Sequence, residues 1–402
     1  MSRKLLGIVI AASALGAAGI VLAVVLWNRG VVVAVPAVEL PAYTRIFAGL
    51  TGEGVPRIRL QGFDGDGQGL LTARRPGLAV VTLDSWTRRA ITDGRLEPLP
   101  AAAFPNPDSV FPRLPAAFLR AVSFTGAGTI KALPLAFDPW LAFWHRDLIG
   151  GAAAAAPADW TALARAAVKW KRAGISALAI AGREPDALVA WLAILCGAKG
   201  PGAAEDVFGR FPAYGRDVAT ESLGRLASLE RDGTLQPSAF SFPWQDAVGL
   251  VLHKRAAGAF LPLSRFRSLD PAASAPLIIA RVPSFPGASG AGLLAEARVL
   301  VMPARGARGR GVEKVVAFLA RPEVQRSLAD SLRMVPCRLD APVRDGASFE
   351  GREAARAAAA LLPMPAVWGD ARSRALFAQA AAAVLRSPGE VAAAVAALYG
   401  EK

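Results

Sequence analysis

Short runs of apolar residues alternate with helical stretches along the chain from residue 31 onward. Residues 31–35 and 78–83 are continuous apolar runs, and residues 57–63 alternate between apolar and polar positions, so each predicts a β-strand. Helical patterns at 41–50 and 87–94 separate these strands. Strands and helices that take turns predict a parallel sheet with helices on both faces.

The same alternation continues toward the C-terminus. Apolar periodicity, capping residues and glycine stops predict helices, and buried apolar runs predict strands. The predicted helices cover residues 160–173, 186–195, 220–231, 245–256, 311–319 and 322–332. The predicted strands cover residues 177–181, 259–263 and 297–302. From residue 335 the sequence is alanine-rich and helical, with prolines as breaks.

An uncharged segment, residues 5–27, follows Arg3 and Lys4. As a helix it would extend about 34 Å, which is enough to cross the hydrocarbon core of a bilayer. Its positive flank predicts a cytoplasmic N-terminus and export of everything after Asn28. An uncleaved membrane anchor over residues 1–30 is the favoured interpretation, and a cleaved signal peptide is the alternative.

The composition predicts two domains and no nucleic-acid partner. With 402 residues, 53% of them hydrophobic, the chain can bury two cores of moderate size. The formal net charge is +14. The basic residues are scattered, and no motif that reads nucleic-acid grooves or bases accompanies them. The arginine excess is therefore interpreted as a result of genomic base composition.

The sequence offers little for catalysis or metal binding. Its two histidines, His145 and His253, are far apart, and no P-loop, GxSxG, HExxH or CxxC motif occurs. We therefore expect no enzymatic activity, no cofactor and no metal site. Export would permit a disulfide between Cys196 and Cys337, but each lies among apolar residues, so buried free thiols are favoured.

Residues 131–161, KALPLAFDPWLAFWHRDLIGGAAAAAPADWT, are the most informative stretch of the chain. An apolar strand ending in proline leads to an apolar-aromatic strand, an Arg-Asp-Leu turn and a Pro-x-x-Trp helix start. This order resembles the middle of sugar-type (family 1) extracellular solute-binding proteins of ABC importers, the group that includes maltose-binding protein. Other segments resemble the same family in the same order: 78–99, 256–266, 312–335 and 361–395.

Three features depart from the family pattern. The segment 31–68 is shorter than the family's usual first lobe, and the insertions around 98–115 correspond to no part of it. Ser264-Arg265-Phe266 stands where the family has Gly-x-Trp. The cleft contacts of the first lobe are therefore the least defined part of the resemblance.

The resemblance implies an α/β, two-lobed periplasmic-binding-protein fold, in which each lobe is a mostly parallel sheet flanked by helices. A three-segment hinge would join the lobes, and an N-terminal transmembrane helix would precede them. The chain would cross between lobes near Pro134, return near residues 263–266, and cross again near residues 334–336. The expected first lobe is 31–133 with 264–333, and the expected second lobe is 134–263 with 334–402.

The resemblance also implies a function. The chain would be an extracytoplasmic capture subunit, periplasmic or at the cell surface and tethered to the cytoplasmic membrane through residues 5–27. It would bind a sugar or related polyol between its lobes and deliver this small-molecule ligand to an ABC permease. The alternative is a membrane-anchored ligand-binding module of the same fold that serves sensing or scaffolding.

A sugar site needs a flat aromatic surface for the ring and planar polar groups for the hydroxyls. Asp84, Ser85 and Trp86 follow a buried strand at the end where open α/β sheets bind ligands. Plain helix capping is the alternative for Asp84. The resemblance places Trp368 at the family's C-terminal aromatic that stacks on the ligand, with core packing as the alternative.

The remaining ligand-binding candidates lie at the predicted crossings and at one helix start. Glu184 precedes a helix where relatives place polar ligand contacts, although an ordinary exposed helix-start acid is equally consistent. Arg265 and Phe266 lie at the second crossing, where hinge packing is the alternative. Asp138 and Trp140 lie beside the first crossing.

Overall fold

The computed structural model describes residues 30–50, 56–65, 67–71, 76–104, 130–150, 156–200, 203–209, 215–285, 293–306, 311–338, 340–341, 361–363 and 371–400. The predicted membrane anchor, most of the connection 98–115 and Trp368 lie outside these ranges. Within the ranges, no helix is both long enough and apolar enough to span a bilayer.

The strands form a mixed sheet. They are β1 Val31–Pro36, β2 Ile58–Phe63, β3 Leu78–Thr82, β4 Leu96–Glu97, β5 Ala132–His145, β6 Ser176–Ala179, β7 Ala256–Pro262, β8 Leu277–Ala280, β9 Leu293–Pro303, β10 Val335–Pro336 and β11 Leu361–Pro363. The order across the sheet is β2-β1-β3-β9-β5-β7-β6, with β4 and β11 on β9, and β8 and β10 on β5.

Parallel pairing is confined to the outer parts of this sheet and to β11. β1 pairs in parallel with β2 and β3, and β6 with β7. The central strands β9 and β5 pair antiparallel with each other, and with β3 and β7 respectively. The expectation of mostly parallel sheets was therefore wrong. The physical reason is that β5 and β9 run between the lobes, against the direction of the strands beside them.

The helices surround this sheet. They are α1 Leu40–Ala48, α2 Ser85–Thr92, α3 Trp160–Arg172, α4 Pro185–Cys196, α5 Ala203–Gly209, α6 Arg216–Arg231, α7 Trp244–Leu252, α8 Leu263–Phe266, α9 Pro271–Ser274, α10 Val312–Leu319, α11 Pro322–Leu332, α12 Ala371–Arg386 and α13 Val391–Tyr399. Helix α3 shows how nearby residues set the two ends of a helix. The Asp159 carboxylate accepts a hydrogen bond from the Ala162 backbone N–H at 2.7 Å, and Gly174 follows the helix with a φ of 72°.

Strand β5 connects the two lobes without interruption. Residues 132–139 pair with β9, and residues 140–144 pair with β7. All 14 positions are buried. At about 3.3 Å per residue the strand extends about 46 Å. The sequence pattern predicted that a strand ends at Pro134. In the structure the strand continues past Pro134, and the pairing register shifts between Pro134 and Ala136.

The pairing of the later strands bears on where the chain returns between the lobes. Residues 263–266, where the return was predicted, form the short helix α8. The next strand, β8, still pairs with the second-lobe end of β5, at residues 142–145. Pairing with β3 of the first lobe begins only at Arg298 of β9. We therefore propose that the second crossing is in β9. The third involves β10, which pairs with β5 at residues 136–137.

Large side chains fill the buried clusters on both sides of the crossings. On the first-lobe side, the rings of Phe47 and Phe318 lie 6.1 Å apart in a cluster with Tyr43. On the second-lobe side, Trp191 stacks on Phe260 at 4.7 Å. Burial of each such side chain contributes about 1.5–3 kcal/mol to stability.

Both cysteines are free and buried. Burial raises the pKa of the Cys196 thiol to about 12 and that of Cys337 well above its ordinary value. The two thiols therefore stay protonated at neutral pH, which makes them poor nucleophiles. The favoured interpretation of the cysteines is confirmed.

Candidate functional site

Asp84 caps helix α2. Its carboxylate accepts a hydrogen bond from the Thr87 backbone N–H at 2.7 Å, and the residue is 3% exposed. The Thr87 hydroxyl donates to the carbonyl oxygen of Thr82 at 2.7 Å. Ser85 is the first residue of the helix, and the half-buried Trp86 packs against the core. The capping alternative for Asp84 is thus observed, and ligand contact by Asp84, Ser85 and Trp86 stays a prediction.

Asp138, in the middle of β5, is held by Ser264 of α8. Its carboxylate accepts hydrogen bonds from the Ser264 backbone N–H at 2.9 Å and from the Ser264 hydroxyl at 2.5 Å. Burial raises the pKa of Asp138 to about 6, while the Ser264 hydrogen bonds lower it and the charge of Glu296 raises it further. The first crossing therefore carries a buried carboxyl group whose pKa burial raises.

Aromatic side chains continue from Asp138 along β5. Trp140 is 3% exposed, and its ring lies 5.7 Å from that of Trp244 at the start of α7. The guanidinium of the exposed Arg265 lies 5.9 Å from the Trp244 ring centroid. Phe266 is buried and stacks on Phe143 at 4.7 Å. The packing alternative is observed for Phe266, whereas Arg265 remains open to solvent.

A buried ion network that the sequence analysis missed centres on Arg298 of β9. Its Nε donates to Glu39 Oε1 at 2.6 Å, and its Nη1 donates to Thr82 Oγ1 at 2.8 Å and to Glu296 Oε1. The side chains of Arg298 and Glu39 are 14% and 8% exposed. Burial lowers the pKa of Arg298, but the charges of Glu296 and Glu39 more than offset this effect. The pKa is therefore raised, and the guanidinium stays charged.

Strand register explains why these residues meet. Thr82 of β3 lies opposite Arg298, and Asp138 lies opposite Glu296. Because alternate residues of a strand share a face, the four side chains lie on one face of the sheet. Glu39 reaches them from the turn that follows β1. We call these five residues the crossing cluster. It lies past the carboxyl ends of β1 and β3, where open α/β sheets bind ligands.

The start of helix α4 adds a second group of charges. Glu184 precedes the helix, and its side chain makes no capping hydrogen bond. Asp186 pairs with Arg374 of α12 at 3.5 Å and keeps 55% of its side chain exposed. Burial nevertheless raises the pKa of Asp186, Arg374 lowers it, and the charges of Glu296, Glu184 and Arg265 also act on it.

The ion pair between Asp186 and Arg374 joins the start of α4 to α12. We call Glu184, Asp186, Arg265 and Arg374 the cleft rim, and the surface between the cleft rim and the crossing cluster the cleft. Of the predicted residues, Trp140 and Arg265 both lie against Trp244, and Asp138 is bound to Ser264, the residue before Arg265. Glu184 lies at the start of α4, and its role in ligand binding stays a prediction.

The residues that sequence reasoning missed are Glu39, Thr82, Glu296 and Arg298. Glu296 and Arg298 are the charged residues of the otherwise apolar strand LLAEARVLVMP, and this exception was the available signal. Among the described residues, no group of three or more His, Cys, Asp or Glu side chains is placed to hold a metal ion. The cleft combines carboxylates, a guanidinium and hydroxyls, with indole rings beside them. Such groups form hydrogen bonds to a polar small molecule.

Sequence comparison gives one family. A family profile described as bacterial extracellular solute-binding protein matches residues 60–356, which is most of the chain. No significantly similar sequence was found among curated proteins.

Solved structures share the fold. The bacterial solute receptor AcbH, described as having an exclusive preference for β-D-galactopyranose, is 14% identical with a TM-score of 0.78, over 93% of this chain and 98% of its own. The sugar-binding protein MalE from Xanthomonas citri is 16% identical with a TM-score of 0.72, over 92% and 95%. A probable secreted solute-binding lipoprotein from Streptomyces coelicolor is 19% identical with a TM-score of 0.71, over 92% and 98%. At these identities the likeness establishes the two-lobed α/β fold.

Proposed function

The chain belongs to the family of bacterial extracellular solute-binding proteins, and we propose that it captures a sugar or related polyol in the cleft and delivers it to an ABC permease. The observation that carries this proposal is the crossing cluster, where polar side chains of β3, β5 and β9 meet Glu39. The proposed activity is binding and transfer of an unchanged ligand rather than catalysis.

The chemistry of the cleft suits a polyol. Carboxylates such as Glu296 and Asp186 accept hydrogen bonds from hydroxyls, and the Thr82 and Ser264 hydroxyls both donate and accept. The indole of Trp86, half-buried at the start of α2, offers an apolar face to the carbon-bound hydrogens of a sugar ring. Fold likeness alone does not transfer a ligand, so the assignment rests on this combination of groups.

The crossings support capture by closure. β5 and β9 run through both lobes, and Ser264 of α8 holds Asp138 at the point between them. Rotation about such connecting segments would bring α4 of one lobe toward β3 of the other. A ligand that contacts both lobes binds the closed form better, and it shifts the population toward that form.

We further propose an extracytoplasmic location with a membrane tether. The extracellular character of the family supports the location, and the uncharged segment 5–27 supports the tether. Fractionation of cells that produce the full chain tests this part. A tethered protein stays in the membrane pellet after alkaline extraction, whereas recovery in the soluble extracytoplasmic fraction would contradict the tether.

Calorimetry and tryptophan fluorescence against a panel of neutral mono- and oligosaccharides test the binding function. Glu296→Gln should weaken the binding of any sugar that the native protein takes up. Glu323→Gln is the matched control, because Glu323 is an exposed residue at the start of α11, away from the cleft. A folded protein that binds no saccharide at millimolar concentration would refute the carbohydrate assignment.

Uptake of the bound sugar distinguishes delivery from sensing. Cells that lack the chain should lose uptake of that labelled sugar and recover it when the gene is restored. Unchanged uptake in the deletion strain, together with sugar binding by the purified protein, would instead indicate the sensing or scaffolding alternative.

A further inference from the structure

A buried side-chain amide on α11 joins two of the segments that connect the lobes. Gln325 is 0% exposed. Its Nε2 donates to the carbonyl oxygen of Pro134 in β5 at 3.0 Å, and its Oε1 accepts from the backbone N–H of Arg338 at 3.0 Å. We call this pair of hydrogen bonds the amide bridge. It links β5 to the segment that follows β10, so it spans the first and third crossings.

The amide bridge lies at an irregular point of β5. The pairing of this strand with β9 shifts register between Pro134 and Ala136. Such a shift leaves a residue out of the regular ladder. The carbonyl oxygen of Leu135 accepts from the N–H of Cys337 at 3.1 Å, and β10 pairs with residues 136–137. The third connecting segment and the amide bridge therefore cover the irregular part of β5 together.

Helix α11 itself belongs to the buried cluster on the first-lobe side. Its Val324 and Leu328 are buried in the cluster that contains Tyr43. Just past the helix, the Met334 N–H donates to the carbonyl oxygen of Ala329 at 2.8 Å. The amide bridge therefore fastens both connecting segments to a helix that is anchored in this cluster.

The third connecting segment, residues 334–338, also has contacts from other elements. The Nη1 of Arg267, which follows α8, donates to the carbonyl oxygen of Met334 at 2.6 Å. The Nη1 of Arg338 donates to the carbonyl oxygen of Ala320, at the end of α10, at 3.2 Å. The segment is therefore held from the α8 side and from the α10 side, and the amide bridge ties it to β5 as well.

Strand β5 changes partners just beyond the part that the amide bridge holds. Its pairing with β9 extends to Pro139, and its pairing with β7 starts at Trp140. Pro139 has no backbone N–H to give to either neighbour. Hinges absorb rotation at a few residues between rigid parts. Residues 138–140 are such a place, because the strand is fixed on both sides of them.

We propose that Gln325 is a positioning residue for closure. Its amide holds β5 up to Phe137 and the segment 334–338 against the first lobe, so that the lobes rotate about residues 138–140. This inference rests on the closure described in the proposed function, and it does not depend on which ligand binds. A glutamine suits the position because its amide donates and accepts at once. An apolar side chain would leave a buried carbonyl and a buried N–H unpaired.

Two glutamine variants form a matched pair. Gln325→Met keeps the length of the side chain and removes both hydrogen bonds. Gln236→Met is the control: Gln236 is 2% exposed, donates to the Ile180 carbonyl oxygen at 2.7 Å and accepts from the Ile180 N–H at 3.0 Å, beside β6. Each variant leaves one carbonyl and one N–H unpaired, so both should lower the melting temperature by a similar amount, about 5 °C or more. Only Gln325 joins two connecting segments.

The native cysteines report loosening beside the amide bridge. Cys337 is bonded to β5 next to the bridge, whereas Cys196 lies on α4, and both are buried. Gln325→Met should raise the rate of thiol labelling at Cys337, relative to that at Cys196, by about tenfold or more, because a local opening exposes only Cys337. Gln236→Met should not raise this ratio. Mass spectrometry of the labelled peptides measures it.

The distance between the lobes reports the hinge itself. Spin labels are attached at Arg45→Cys on α1 and Lys169→Cys on α3, two exposed positions, in a Cys337→Ala background. Pulsed electron paramagnetic resonance of the ligand-free protein then gives the distribution of distances. Gln325→Met should widen this distribution about 1.5-fold or more, because rotation is no longer confined to residues 138–140. Gln236→Met should keep the native width.

An unchanged width in Gln325→Met would overturn the proposal, because Gln325 would then hold only local structure. Equal widening in the two variants would also overturn it, since general loosening would explain both. If Gln325→Met does not fold, Gln325→Asn takes its place, because its amide is one methylene shorter and cannot reach both partners. These measurements need no ligand. A protein that binds no saccharide but shows the widening would therefore refute carbohydrate capture alone, and a sugar-binding protein without the widening would refute this inference alone.

Discussion

Asp138 of β5 and Glu296 of β9 lie directly opposite each other across an antiparallel strand pair. Like charges in this position repel, and the protein compensates each one separately. Ser264 donates two hydrogen bonds to Asp138, and Arg298 donates to Glu296. Because the pKa of Asp138 is raised, the charge balance at this strand pair depends on pH.

The first prediction concerns Asp138. Its pKa is raised from the ordinary value of 3.8 to about 6, chiefly by burial, so the folded state binds more protons than the unfolded state between about pH 4 and pH 6. This carboxyl's contribution to stability is complete below pH 4 and falls as the pH rises through 6. Asp138→Asn cannot ionise and escapes this loss. Its free energy of unfolding relative to native should rise by up to about 3 kcal/mol between pH 4 and pH 7.

Urea unfolding of the two proteins at both pH values measures this difference. Asp147→Asn serves as the control, because Asp147 is an exposed acid paired with Lys254 on the surface. Native protein and Asp138→Asn with the same pH dependence would show that Asp138 does not titrate in this range.

The second prediction concerns Arg298. Arg298→Met leaves Glu39 and Glu296 beside each other without their counter-charge, and it should lower the free energy of unfolding by about 3–5 kcal/mol. Adding Glu39→Gln and Glu296→Gln removes the uncompensated charges, so the triple variant should recover most of the loss. Both effects are measured by urea unfolding at pH 7.

Arg95→Met provides the comparison for this series. Arg95 pairs with Asp93 at 3.8 Å, and the two side chains are 49% and 50% exposed, so its loss should cost about 1 kcal/mol or less. A triple variant no more stable than Arg298→Met would mean that Arg298 stabilises the protein through packing rather than through its charge.

The third prediction concerns the two thiols. Because Cys196 and Cys337 are buried and their thiols stay protonated, a thiol reagent such as DTNB should modify neither in the native protein at pH 8. Both should react at once in denaturant, and a reducing agent should leave the melting temperature unchanged. Rapid labelling of the native protein would contradict the burial.

The fourth prediction concerns Trp368, which the family resemblance assigns to ligand stacking. Trp368→Ala should weaken sugar binding by about tenfold or more, while Trp368→Phe keeps an aromatic face and should retain most of the affinity. Calorimetry with the best-binding sugar measures both. Equal, large losses of melting temperature in the two variants, without a specific loss of affinity, would favour the core-packing alternative.

Local signals in the sequence predicted the elements better than the pairings between them. The cap at Asp159 and the glycine stop at Gly174 predicted helix α3 to within a residue of its observed end. These signals act within a few residues of chain. The contact of Arg298 with Glu39 joins residues 259 positions apart, and only the register of β1, β3 and β9 brings them together. Without the register, charged residues at alternate positions of a strand, such as Glu296 and Arg298, would indicate a strand face exposed to solvent.

Long-range contacts were also the part of the candidate site that the sequence could not predict. Asp138 and Arg265 were found because they lie on segments that carry the family resemblance. Their partners could not be identified, since Ser264, Glu296 and Arg374 come from three distant segments. Pro134 was expected to end a strand because proline lacks a donor. In the structure the shift of register beside it lets the strand continue.

The uninterrupted course of β5 has a consequence for how the protein unfolds. β5 pairs with β9 over residues 132–139 and with β7 over residues 140–144, so neither lobe could be excised without leaving a row of unpaired backbone groups. A truncated lobe would expose this unpaired strand edge and would aggregate. Heating the whole chain should therefore produce one cooperative melting transition rather than two, and damage to either lobe should lower the thermal tolerance of the other.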